Sequence, residues 1–213
     1  MSRPAYMIIA IDVRDPSRMA EYAGGTQPLL EAAGARVLAA TNGITVEDGV
    51  WARERIALLE FPSMESARSF WSADAYAPLK ALRESISTSD VVLVEGTQDE
   101  RVEEEDGAHY LLGASTMLNA DWVEEYIQKV PPISARFGVK MLAGGPEFET
   151  LEGAWPGESV VVLRFPSEHA FREFWYGDDY RPMKELREAN APGHHISFAE
   201  TFELPDAGGP SQG

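Results

Sequence analysis

Apolar positions along the chain follow two periods that alternate in a fixed order. Tyr6–Val13 is a run rich in apolar and β-branched residues, which predicts a strand. Asp15-Pro16 opens a helix, because Asp caps free N–H groups and Pro suits a first turn, and that helix ends at Gly34. Arg36–Ala40 predicts a second strand, with a short hairpin extension around Thr45–Glu47, and Ile56–Phe61 a third. Pro62-Ser63 starts a second helix with Ser63 as N-cap, and Asp90–Glu95 is the last strand. In the first strand Met7, Ile9, Ile11 and Val13 share one side, and Tyr6, Ile8, Ala10 and Asp12 the other. Both sides are largely apolar, so neither reads as facing solvent.

The whole pattern then recurs. Tyr6 matches Tyr110, 104 residues further on, and the offset holds without a gap through Glu21/Glu125, Tyr22/Tyr126, Gly34/Gly138, Gly49/Gly153 and Trp51/Trp155. Phe61-Pro62-Ser63 returns as Phe165-Pro166-Ser167, and Asp74-x-Tyr76-x-Pro78-x-Lys80-x-Leu82-Arg83-Glu84 returns from Asp178 to Glu188. The chain is therefore two copies of one unit. Residues 1–98 form the first repeat, 99–107 an acidic linker, 108–204 the second repeat, and 205–213 a tail of turn-formers expected to be disordered. Strand, helix, strand, strand, helix, strand is the ferredoxin-like order, in which two helices cover one sheet face. Packing the two sheets face to face would bury the other. The expected fold is α+β: two βαββαβ repeats whose antiparallel sheets close an intrachain pseudo-dimeric barrel.

Composition narrows the function. Lys+Arg is 18 and Asp+Glu 35, a formal charge of −17, which argues against nucleic acid and anionic membrane surfaces as partners. The 44% of hydrophobic residues can bury a core, and without cysteine there is no disulfide, thiolate metal site or thiol nucleophile. The opening apolar run is too short for a signal peptide, and no run approaches the ~20 residues of a membrane helix. The expectation is a soluble, cytoplasmic protein, either a monomer with an internal pseudo-dimer or a homodimer.

The residues Tyr6, Asp12-x-x-Asp15-Pro16, Tyr22, Gly34-Ala35-Arg36, Glu60-Phe61-Pro62-Ser63, Tyr76, Arg83 and Val94-Glu95-Gly96 resemble a bacterial family, the domain of unknown function numbered 1330. That family lies in the dimeric α+β barrel superfamily, and the resemblance covers both copies. It implies the barrel fold and a small-molecule site, in a superfamily that includes cofactor-free monooxygenases, polyketide cyclases, isomerases and haem or chlorite-active enzymes. The chain departs from the family pattern at Ala10 and Ala114, where a polar residue, commonly His, stands on strand one. The second copy also has Ser115-Thr116 in place of Ile11-Asp12, and Asn119-Ala120 in place of Asp15-Pro16.

Candidate chemistry concentrates in a few places. All four histidines, His109, His169, His194 and His195, fall in the second copy. With Ile196 and Phe198 towards the helices, His195 and Ser197 would face the barrel cavity, where His195 could act as general base. Asp12 is the second catalytic candidate, because an Asp in an apolar barrel would carry a raised pKa; Thr116 stands at its place in the other copy. Tyr6 and Tyr110 begin the cavity-facing stripe, and Trp51 and Trp155 could roof it. Arg83 and Arg187 could bind a carboxylate or enolate, or serve as helix-end cations. No metal-ligand spacing, phosphate loop or dinucleotide fingerprint is present, and nothing singles out a haem ligand, so no cofactor is expected. The reading is a cofactor-independent enzyme acting on an aromatic or polyketide-like metabolite, by cyclisation, isomerisation or oxygenation, between the two sheets. The alternative is a non-catalytic protein that binds a hydrophobic small molecule.

Overall fold

A computed structural model describes residues 2–98, 101, 103 and 106–202; most of the acidic linker and all of the tail lie outside the described residues. The first half runs β1 (Ala5–Val13), α1 (Met19–Ala32), β2 (Arg36–Thr41), β3 (Ile44–Asp48), β4 (Arg55–Phe61), α2 (Met64–Trp71), α3 (Ala77–Ile86) and β5 (Ser87–Gly96). The second runs β6 (His109–Ser115), α4 (Val123–Ala135), β7 (Lys140–Glu152), β8 (Ser159–Phe165), α5 (Glu168–Tyr176), α6 (Arg181–Asn190) and β9 (Gly193–Ala199).

Local chemistry sets the boundaries. The Asp15 carboxylate accepts the Ser17 N–H, but the turn it caps, Pro16–Arg18, is 3-10, and the α-helix starts only at Met19. Ser63 and its repeat Ser167 each cap a helix by accepting the backbone N–H three residues on. The single second helix expected in each half is two, because the chain breaks after Trp71 and Tyr176 and restarts with Pro78 and Pro182 in a first turn. Gly34 and Gly138 turn the chain from helix to strand at φ of 66° and 68°.

The strands form one antiparallel sheet in the order β2-β4-β1-β5-β7-β8-β6-β9-β3. By the 104-residue offset, β2 and β3 together correspond to the long β7. The first part of each pairs within its own half, β2 with β4 and Lys140–Gly145 with β8. The second part crosses over, β3 pairing with β9 and Phe148–Glu152 with β5. Each half thus lends a strand end to the other, and the sheet curls into a nearly closed barrel. A hydrogen bond from the Ala40 N–H to the Thr201 carbonyl (2.8 Å) ties the last seam.

Three apolar layers result. Inside the barrel Tyr6, Ile8, Leu58, Val92 and Val94 meet Tyr110, Leu112, Val162, Ile196 and Phe198, all buried. Trp51 and Trp155 pack against this layer and meet edge to face, ring centroids 5.7 Å apart. Outside it, Met7, Ile9, Leu59 and Leu93 pack under the helices of the first half, and Leu111, Phe165, Phe171, Phe174 and Trp175 under those of the second. The faces of β9 are therefore the reverse of the expectation. Phe198 pairs with Tyr110 and Ile196 with Leu112, and cross-strand partners share a face, so both point inward while His195 and Ser197 point to the helices.

Candidate functional site

The expected location between the sheets is taken up by the side chains of the inner layer. A cavity of about 700 Å³ lies instead outside the barrel, between α1 and the helix side of the first half's sheet. The sequence of α1 explains the gap. Where it crosses the sheet it carries Ala20, Ala23 and Gly24, and a Cβ built on Gly24 would meet nothing within 4 Å. Ile9, Ile11, Val37 and Leu59 make the floor from the sheet, and Leu30 and Phe70 close the sides.

One edge is polar. The Tyr22 and Tyr76 hydroxyls lie 3.1 Å apart, while the Thr26 hydroxyl donates to the Tyr22 carbonyl at 2.8 Å. Two phenols carry two protons and the bond between them uses one, so the pair keeps a proton for a third group. Burial, reinforced by the Tyr76 hydroxyl, pushes the Tyr22 phenol well above its ordinary range, which makes it a donor rather than a base. Beside them Arg83, fully buried, donates to Glu152 (2.6 and 3.0 Å) and to Ser89. Glu152 comes from β7, so the second half supplies the counter-ion of a cavity residue in the first.

The second half keeps the same network with larger side chains around it. Tyr126 and Tyr180 repeat the phenol pair at 2.8 Å, and Arg187 donates to Asp48, on the crossing strand of the first half, at 2.7 Å. Lining residues Ala23, Ala35, Val37 and Ala57 become Ile127, Val139, Met141 and Val161. Ile9 and Val91 become Gly113 and His195, and a Cβ on Gly113 would stand 2.6 Å from the imidazole. His195 is 4% exposed, with Arg187 Nη1 at 3.3 Å, Asp48 Oδ2 at 3.4 Å and the Trp175 ring at 5.7 Å. Burial, then the charge of Arg187, brings its pKa down to about 3, so near neutral pH the imidazole is uncharged.

The other sequence-predicted residues are dispersed. Asp12 is at the barrel rim rather than in an apolar interior, bound to Arg53 (2.9 Å) and the Glu54 N–H (2.8 Å), with Arg53 also holding Asp90 (2.8 Å). Tyr6 reaches the buried Glu60 at 3.4 Å, which Arg36 and Arg101 neutralise at 2.7 Å each. Tyr110 stacks on Phe198 within the barrel; Thr116 follows β6, its N–H bound to the Pro192 carbonyl. Ser197 donates to Glu47 at 2.6 Å, and Trp51 and Trp155 belong to the inner layer. Of the ten residues singled out, Arg83 is the one that borders the cavity. Tyr22, Thr26, Phe70 and Tyr76 were missed as site residues, although Tyr22/Tyr126 and Tyr76/Tyr180 are repeated pairs whose conserved spacing of 54 residues puts two phenols on neighbouring helices.

Haem iron takes an axial His, Cys, Met or Tyr phenolate, and here the Tyr22 and Tyr76 hydroxyls are bound to each other, with burial holding Tyr22 protonated. Among the described residues the lining contains no histidine or cysteine, and its one thioether, Met19, is buried in the apolar layer at the start of α1. The residues present do not fit that group. No helix among the described residues is long and apolar enough to cross a membrane.

Two βαββαβ units sharing one barrel define the dimeric α+β barrel class, here within a single chain. Solved structures of that class align along nearly the full length. A protein provisionally named a monooxygenase from Lactobacillus acidophilus NCFM is 13% identical, with 94% of this chain and 95% of that one covered and a TM-score of 0.55. A second protein of that provisional name, from Fusobacterium nucleatum, is 10% identical over 98% and 97%, with a TM-score of 0.57. A variant chlorite dismutase from Candidatus Nitrospira defluvii is 8% identical over 97% and 94%, at 0.62. No curated protein matches the sequence. The family model described as a domain of unknown function, DUF1330, matches residues 4–97 and again 108–201, and the chain belongs to that family as a tandem duplication.

Proposed function

We propose that the chain is a small-molecule enzyme that acts on an aromatic or polyketide-like metabolite bound in the cavity beneath α1, by oxygenation, cyclisation or isomerisation. The observation that carries this reading is the cavity itself: about 700 Å³ of mostly apolar wall with one polar edge, the size and character of a metabolite pocket. The edge suits a carbonyl or hydroxyl on an otherwise apolar ligand. The spare phenol proton of the Tyr22–Tyr76 pair donates to that oxygen and stabilises negative charge developing there, as on an enolate or phenolate. The provisional names of two structural neighbours make oxygenation the first reaction to test.

The test is incubation of the purified chain with a panel of phenolic and polycyclic ketone substrates under dioxygen, with products read by mass spectrometry. Conversion of a member by wild type, lost when Tyr22→Phe and Tyr76→Phe are combined, is the expected result; binding and conversion of none overturns the reading. Among the described residues the lining contains no histidine, and its one acid, Glu31, is exposed and accepts from Gln27 at 3.1 Å, which favours a second reading, a binding protein. Ligand recovered chemically unchanged after tight binding would select it.

A further inference from the structure

The mouth of the cavity is made partly by the other end of the chain. After β9 the backbone runs beside β2, where the Thr201 carbonyl accepts the Ala40 N–H and Phe202 bridges to Ala40. Phe202 lines the cavity with Ala40, Thr41 and Arg55, yet its ring is 62% exposed. A large apolar side chain left in water beside an open apolar pocket is stabilised when something flat covers it. The repeat supplies an internal contrast. The residue at the equivalent point of the first half is Gln98, whose amide donates to the Met141 carbonyl at 3.3 Å, a contact that closes the seam and presents no ring. The aromatic residue thus stands only at the repeat end that borders this cavity, and it is supplied by the second half.

We propose that Phe202 is a specificity-determining residue of the first half's cavity, selecting ligands whose outer edge is planar and aromatic by stacking on them at the mouth. The proposal rests on the metabolite-pocket reading above and adds the shape of the ligand's exposed end. Tyr22, Tyr76 and Phe202 line the one cavity, so a ligand with its oxygen at the phenols can present its other edge to the ring of Phe202. The backbone bond from Ala40 to Thr201 needs no side chain at 202, so replacing the ring leaves the seam in place.

The experiment compares dissociation constants of 2-naphthol and its saturated counterpart, decahydro-2-naphthol, by calorimetry on the full chain. Wild type is expected to prefer the planar alcohol, with about two- to tenfold of that preference due to the ring at 202. Phe202→Gln, which installs the residue found in the other repeat, should lose that share with its melting temperature unchanged, Phe202→Trp should keep it, and Gln98→Phe should leave it as in wild type. An unchanged preference in Phe202→Gln, with naphthol still bound, overturns the role of Phe202 and leaves the pocket reading intact. Failure of wild type to bind either alcohol overturns both.

Discussion

At the scale of single residues, the buried charges are the sharpest feature. Arg83 and Arg187 read in the sequence as ligand-binding or helix-end cations, yet each is spent on a carboxylate from the opposite half, Glu152 and Asp48. Removing one partner strands the other charge in the layer between sheet and helices. Glu152→Ala is expected to cost about 3–5 kcal/mol in urea unfolding, and Arg83→Met combined with Glu152→Leu to recover most of it. His195 adds a dependence on pH. Its folded pKa of about 3 lies below the ~6.5 of an unfolded histidine, so between those values the unfolded chain binds more protons. Stability is full above ~6.5 and falls as the pH drops towards 3, by up to about 1.4 kcal/mol per pH unit from this group. Burial lowers His109 as well, with the same sign. In His195→Val with Gly113→Ile, which copies the first half, chemical denaturation between pH 7 and 4.5 should show a shallower decline. An equal slope would assign it to other groups.

Among the elements, the crossing strands repay the closest comparison with the sequence. The bend after each depends on a glycine with positive φ, Gly49 (69°) and Gly153 (67°), and on a side-chain acceptor for the next N–H. Asp90 accepts from Ala154 at 2.9 Å in one copy, and His194 from Val50 at 3.0 Å in the other. An unlike pair in the alignment, Asp and His, thus performs one task, holding the loops that carry Trp155 and Trp51. His194→Asp should keep the loop, whereas His194→Ala should cost about 1 kcal/mol and shift tryptophan emission to the red as Trp51 loosens. The repeat, the helix caps and the strand order were legible because each has a local signature. The inward stripe from Tyr6 and Tyr110 was legible too, but the facing of β9 was not: its polar side, His195 and Ser197, reads as a cavity lining, and only the register Tyr110 to Phe198 turns it to the helices. The cavity was not legible either. It is set by small residues of α1, Ala20, Ala23 and Gly24, which read in sequence as a weakly amphipathic helix rather than as missing volume.

For the whole molecule, the inner layer belongs to neither half. Val92 and Val94 are covered by Ile196, Phe198 and their neighbours, and each half completes its sheet with a strand of the other. Residues 1–98 expressed alone should therefore self-associate, and light scattering that found a folded monomer would contradict this architecture. Calorimetry on the full chain should give one ligand per molecule, not two, because the second half carries the larger side chains around its phenol pair. That asymmetry bears on what fusion makes possible. In a dimer of identical units each substitution appears at two places related by symmetry, and a change that closes one pocket closes both. Once the two units share a backbone, Gly113 and His195 can arise in one copy while Ile9 and Val91 stay in the other. One lobe is then free to lose its opening and become a supplier of parts, the carboxylate of Glu152 and the ring of Phe202, to its sibling.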